Sequence, residues 1–146
     1  MEYEHLKLEN QLCFPVYAAS RLITREYQPL LDRLEITYPQ YLVLMVLWES
    51  DALPVNDIAK KLILNTNTIT PLLKRMEQQG LINRKRSEKD ERKVIVYLTK
   101  KGIKLREAAS QIPEQLVNRL SESKVKLKEL VTLRESLNSI ISSLSK

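Results

Sequence analysis

One cysteine and one histidine stand among the 146 residues, and their positions bound the available chemistry. Cys13 lies between Leu12 and Phe14 and has two readings. By default a lone cysteine packs as a small apolar side chain. As a redox centre it needs a stabilised thiolate, held by a helix N-terminus, a cation or hydroxyl donors. Pro15 is tolerated in the first turn of a helix and so predicts a helix start close to Cys13. His5, alone near the terminus, supplies no zinc ligand set and little for acid–base catalysis. A single cysteine also excludes an internal disulfide. The expectation is a chain with no metal, no cofactor and no enzymatic role.

A second group of residues points at nucleic acid. Asn65, Thr66, Asn67, Thr68 and Thr70 are small and polar, as a helix needs them to be to touch base edges in a major groove. Lys74 and Arg75 follow a turn later and suit phosphates or guanine. Arg84, Lys85 and Arg86 on one side, and Arg92 and Lys93 on the other, bracket a charged segment. An arginine such as Arg92 is suited to enter a narrow minor groove. Charge runs are usually only a solvated surface. Here they follow a polar helix start in chain order, and Lys+Arg exceed Asp+Glu by 24 to 18, a net charge of +6. The joint pattern favours double-stranded DNA as a partner.

The elements that must position these groups are mostly helical, since two glycines in the whole chain leave few tight turns. Over residues 9–34, Leu12, Val16, Ala19, Ile23, Tyr27, Leu30 and Leu34 repeat at threes and fours, the stripe of an amphipathic helix. Pro29 should bend or break it. Ile36-Thr-Tyr-Pro-Gln-Tyr41 is a helix start: Thr37 caps, Gln40 completes a capping box, and Ile36 with Tyr41 has staple spacing. The helix it opens, ending near Trp48, is apolar on nearly every side and should be central. Residues 54–62 read as a short helix, residues 65–68 as a polar break, and residues 69–79 as a second helix stopped by Gly80. That is a helix-turn-helix. Residues 81–86 and 94–98 read as strands around a charged tip at 87–93, a wing. Thr99 caps a further helix. Two more helical patterns follow, the last carrying Leu130, Leu133, Leu137, Ile140 and Leu144.

The predicted fold class is therefore mainly α with a small β-hairpin wing: a winged helix-turn-helix flanked by N- and C-terminal dimerisation helices. Residues 37–112 are assigned to the DNA-binding domain, and residues 1–36 with 113–146 to the helical dimerisation region. The winged part closes its own core, so the terminal stripes are surplus. They either fold back on their own winged domain or, more economically, pack against a second copy in a homodimer. The longest apolar run, residues 42–48, is far shorter than the ~20 residues a membrane-spanning helix needs. The opening MEYEHLKLENQ has no apolar signal core. No membrane association and a cytoplasmic location are expected.

These residues resemble a known family. Leu72-Leu-Lys-Arg-Met-Glu77, Gly80-Leu81 and Asp90-Glu-Arg92 are similar to the MarR family of bacterial repressors. Leu8-Glu-Asn-Gln-Leu-Cys-Phe14, Tyr27-Gln-Pro-Leu-Leu31 and Thr37-Tyr-Pro-Gln-Tyr41 narrow the resemblance to its organic-hydroperoxide-sensing (OhrR) branch. The resemblance runs up to about Thr99 and weakens beyond. It implies that Cys13 is a peroxide sensor, that Tyr27 and Tyr38 hydrogen-bond it, that Arg92 serves the wing and that Asp90 orients it. Two departures are visible. Asn65-Thr66-Asn67 stands where Asp-Ser-Gly is common, and Phe14-Pro15 replaces the commoner apolar pair after the cysteine.

Cys13 and Tyr27 are 14 positions apart, ~21 Å along one helix, so their contact must cross a dimer. The expected function is a dimeric repressor on a palindromic operator, released when organic hydroperoxide oxidises Cys13. The sulfenic acid would pass to a mixed disulfide with a low-molecular-weight thiol, because the chain has no resolving cysteine. An alternative keeps the repressor, makes Cys13 structural and places a small aromatic ligand between the dimerisation helices and the winged domain. A thiol peroxidase is disfavoured, because no activating basic residue adjoins Cys13.

Overall fold

The computed structural model describes residues 3–145. Two 3-10 turns, Glu4–Leu6 and Leu8–Asn10, lead into helix α1 (Cys13–Asp32), followed by α2 (Tyr38–Glu49), β1 (Leu53–Pro54), α3 (Val55–Leu62) and α4 (Thr66–Gln78). The hairpin β2 (Ile82–Arg86) and β3 (Val94–Leu98) precedes α5 (Lys100–Ala109), α6 (Ile112–Ser121) and α7 (Leu127–Leu144). This is a winged helix-turn-helix with helical extensions at both ends.

Helix α2 is the centre of the core. Its start is fixed by a complete capping box: Gln40 N donates to Thr37 Oγ1 at 3.3 Å, and Thr37 N donates to Gln40 Oε1 at 3.1 Å. Ile36 and Tyr41 are both buried across that cap, as a hydrophobic staple requires. Val43, Leu44 and Leu47 are also buried, and Leu31, Ile58, Ile69, Leu73, Met76 and Val96 close the core around them. Trp48, at the far end of α2, donates Nε1–H to Gly102 O at 2.9 Å and so ties α2 to α5.

Helix α4 ends as its sequence predicts. Gly80 takes φ +75°, and Leu81 N reaches back to Met76 O at 3.0 Å, closing the turn that a left-handed glycine permits. The sheet is antiparallel in the order β1-β3-β2. Its hairpin register pairs Ile82 with Leu98 and Arg86 with Val94. Thr99 caps α5, accepting from Gly102 N at 3.1 Å.

The structure departs from the sequence reading in four places. Helix α1 is unbroken through Pro29. Pro29 and Arg25 are both exposed, so water can satisfy the carbonyl that a proline leaves without a donor. Helix α1 also begins at Cys13, later than residue 9. Helix α4 begins at Thr66, because Asn65 caps it, and the polar residues expected in the break form its first turn. A third strand, β1, pairs Leu53 with Val96; two residues are too few to carry a period-two signal. Helix α7 does not take the fold-back arrangement, the less economical of the two expected for the terminal stripes. It buries no residue, and Leu127, Leu133, Ile140, Ile141 and Leu144 remain exposed.

Candidate functional site

The first turns of α4 and the base of the wing form one cleft. It holds about 350 Å³ and is lined by Asn56, Thr66, Thr70, Arg84, Arg92 and Lys93, among others. Local sequence explains each placement. Asn65 Oδ1 accepts from Thr68 N at 3.0 Å and from Thr68 Oγ1 at 3.1 Å, so Asn65 is spent on starting the helix. Thr66, Asn67, Thr68 and Thr70 are then exposed on its opening turns. The buried residues Ile69, Leu72, Leu73 and Met76 hold the opposite face of α4.

The wing is shaped by its own side chains. Ser87 Oγ accepts from Lys89 N and Asp90 N, Asp90 Oδ1 accepts from Arg92 N at 3.1 Å, and Arg86 Nη1 donates to Glu91 O. Ser87 N closes the tip on Lys93 O at 2.8 Å. Arg92 is thus held on a folded turn, with its side chain exposed.

Arg84 is bound into the protein. Glu77 of α4 accepts its backbone N–H at 2.9 Å and its Nη2 at 3.2 Å. Those two hydrogen bonds hold the Glu77 carboxyl below its usual range, against a small opposing effect of burial. The pair fastens α4 to the wing. The remaining basic candidates scatter. Arg75 lines a different cleft, with Asp32, Glu35 and Gln79. Lys85 and Arg86 line the outer side of the hairpin with Lys89 and Tyr97, and Lys74 is exposed on α4. The structure brings Thr66, Thr70, Arg84 and Arg92 together, and leaves Arg75, Lys85 and Arg86 apart from them.

The thiol lies on another part of the molecule. Cys13 is exposed and is the first residue of α1. Tyr27, Tyr38 and Tyr41 cluster: ring centroids are 4.9 Å apart for Tyr27–Tyr38 and 5.9 Å for Tyr27–Tyr41. Burial, helped by the neighbouring Tyr38 and Tyr41, pushes Tyr27 up to about 12. Burial likewise raises Tyr38 and Tyr41. All three hydroxyls therefore stay protonated near neutral pH and keep an O–H that can donate. Since α1 is one continuous helix, Cys13 and Tyr27 stand ~21 Å apart along it.

Two site residues escaped sequence reasoning. Glu77 organises Arg84, and only its seven-residue spacing across a helix and a strand hinted at the contact. Tyr17 follows Cys13 by one helical turn, and its ring carries the Arg21 guanidinium at 4.4 Å. The i, i+4 relation on a helix was the available signal for Tyr17. Among the described residues no histidine, cysteine and carboxylate cluster could hold a metal, and no helix is long and apolar enough to cross a membrane.

Residues 25–109 match the family described as transcriptional regulator SarA/Rot. Over 141 residues the chain is 52% identical to the organic hydroperoxide resistance transcriptional regulator of Bacillus subtilis, covering 94% of this chain and 96% of that protein. Among solved structures it is similar to reduced AbfR bound to DNA, from Staphylococcus epidermidis, at 36% identity and a TM-score of 0.80, with 100% of both chains covered. It is also similar to the Staphylococcus aureus MepR–DNA complex, at 29% identity and a TM-score of 0.80, covering 92% of this chain and 98% of that one.

Proposed function

The chain belongs to the MarR family of winged-helix transcriptional regulators, on its organic-hydroperoxide-sensing branch, and from that premise we propose that it is a homodimeric, cytoplasmic repressor rather than an enzyme, which holds a palindromic operator until Cys13 is oxidised. One observation carries the DNA reading: the polar first turn of α4 and the wing arginine Arg92 open onto a single basic cleft. Thr66, Asn67, Thr68 and Thr70 face bases, Arg92 enters the adjoining minor groove, and Asp90 fixes the turn that presents it. Asn65 contributes as the helix cap. Lys74, Arg75, Lys85 and Arg86 add sequence-independent attraction to the phosphates.

Residues 37–112 form the DNA-binding unit in this reading, and residues 1–36 with 113–146 form the dimer. The bare apolar side chains of α7 and of the start of α1 support this division, because exposed patches of that kind mark an interface.

The switch runs through the exposed thiol. The Cys13 thiolate attacks one peroxide oxygen, the O–O bond breaks, and the alkoxide leaves as an alcohol once it has taken up a proton. The product is a sulfenic acid. A low-molecular-weight thiol then condenses with it, releasing water and leaving a mixed disulfide. Tyr27 and Tyr38 of the second copy donate to the reduced sulfur, and an adduct there displaces them. The binding of the reduced protein to DNA from upstream of its own gene, with and without cumene hydroperoxide, tests the whole reading. Binding that is lost on oxidation and restored by dithiothreitol is the expected result, and binding indifferent to peroxide refutes it.

A further inference from the structure

Gln40 is the buried polar residue of the core, 4% exposed, and its amide is used on both sides. Its Oε1 accepts from Thr37 N at 3.1 Å, and its Nε2 donates to Gln79 Oε1 at 2.7 Å. Gln79 is the C-cap of α4; its own Nε2 donates to Glu35 O at 3.4 Å, and Lys101 Nζ donates to its backbone carbonyl. One polar chain thus runs from the turn before Tyr38 to the end of the recognition helix. Apolar side chains of α2 and α4 also share the hydrophobic core, and such packing attracts without direction and tolerates sliding. A hydrogen bond between amides has a narrow range of distance and angle. Breaking this one would leave a buried amide unpaired, which costs far more than the bond contributes when it is made.

We infer that the Gln40–Gln79 pair is the joint that makes the recognition helix follow the first turn of α2. This inference rests on the redox reading above. Tyr38 is the first residue of that turn, and it lies between Thr37 and Gln40, the two residues that the capping box ties together. When an adduct at Cys13 displaces the tyrosine contacts and the turn shifts, Gln79 must move with it or the buried amide loses its partner. The end of α4 is drawn along, and its DNA-facing first turns tilt. Gln40 and Gln79 are positioning residues: neither touches the thiol, and neither lines the DNA-facing cleft.

Gln79→Met and Gln79→Glu test the joint. Gln79 is exposed, so both replacement side chains fit without overpacking. Both changes remove the long donation to Glu35 O; methionine also removes the acceptor for Gln40, whereas glutamate keeps it. Three quantities are read for the parent and both variants: the rate of Cys13 oxidation by cumene hydroperoxide, followed by mass spectrometry, and the Kd of the reduced and oxidised proteins for a fluorescent duplex of the upstream DNA. All three proteins should oxidise at one rate. The ratio of oxidised to reduced Kd should fall by about fivefold or more in Gln79→Met, as losing a contact of this class implies, and stay parental in Gln79→Glu. A parental ratio in Gln79→Met, or a collapsed ratio in Gln79→Glu, overturns the joint. A parent that oxidises at Cys13 yet keeps its DNA overturns the redox reading itself, a failure visible without either variant.

Discussion

Gly102→Ala places two effects of opposite sign in competition. Helix propensity favours the change: alanine in a helix interior is better than glycine by about 0.8–1 kcal/mol. Gly102 lies in the first turn of α5, where a methyl on its Cα would meet Leu81 O at 2.3 Å and Leu98 Cδ2 at 3.1 Å. The carbonyl cannot easily withdraw, because Thr99 N and Thr99 Oγ1 both donate to it at 3.1 Å. Gly102 O is also fixed by Trp48. Overpacking costs about 1–3 kcal/mol, and each hydrogen bond stretched in relieving it adds about 1 kcal/mol. The sum favours destabilisation by about 2–4 kcal/mol. For a chain of this size that lowers Tm by about 4–16 °C. Thermal unfolding followed by circular dichroism at one fixed protein concentration reads it, since the Tm of a dimer depends on concentration. A Gly102→Ala protein that melts at or above the parental temperature would refute the reasoning.

The Glu77–Arg84 clamp should show in acid. The folded-state carboxyl is held below its ordinary value, so the clamp contributes stability above about pH 4.5 that disappears as pH falls through the lowered value. Glu77→Gln should be less stable than the parent at neutral pH, by about 1 kcal/mol or less after solvent screening, and the two should converge in urea titrations at low pH. Arg92→Ala should weaken operator binding by about tenfold or more while leaving Tm unchanged, because the side chain is exposed and packs on nothing in the core. Equal Kd values for Arg92→Ala and the parent at moderate salt would remove the wing from the DNA contact.

Much of the winged part was legible because its signals are local. The Thr37–Gln40 box, the Gly80 stop and the Thr99 cap each lie within four residues of what they satisfy, and all three were read from sequence. The second strand of the hairpin was read from the β-branched run at residues 94–98. What escaped depends on contacts distant in sequence. Gln40 reaches Gln79 across 39 positions and Arg119 reaches Glu26 across 93, separations that no periodicity encodes. The turn between α3 and α4 carries Ile63 at φ +56°, where glycine or asparagine would announce the geometry. In sequence the turn was therefore placed at the polar residues 65–68, which in the structure cap and begin α4. Arg84 looked like a free cation in the sequence, and its engagement by Glu77 required the fold. Pro29 looked like a break, and an exposed position accommodated it.

In the proposed switch the oxidation state of one sulfur atom decides whether DNA is held. Cys13→Ser tests it most directly, since serine keeps the size and a hydroxyl for the tyrosines but cannot become a sulfenic acid. Fluorescence anisotropy on the upstream duplex, with parent and variant side by side and cumene hydroperoxide added to both, is the measurement. Parent and variant should bind equally before peroxide; afterwards the parent should lose its DNA and Cys13→Ser should keep it. Release of Cys13→Ser by hydroperoxide at the parental dose would contradict it.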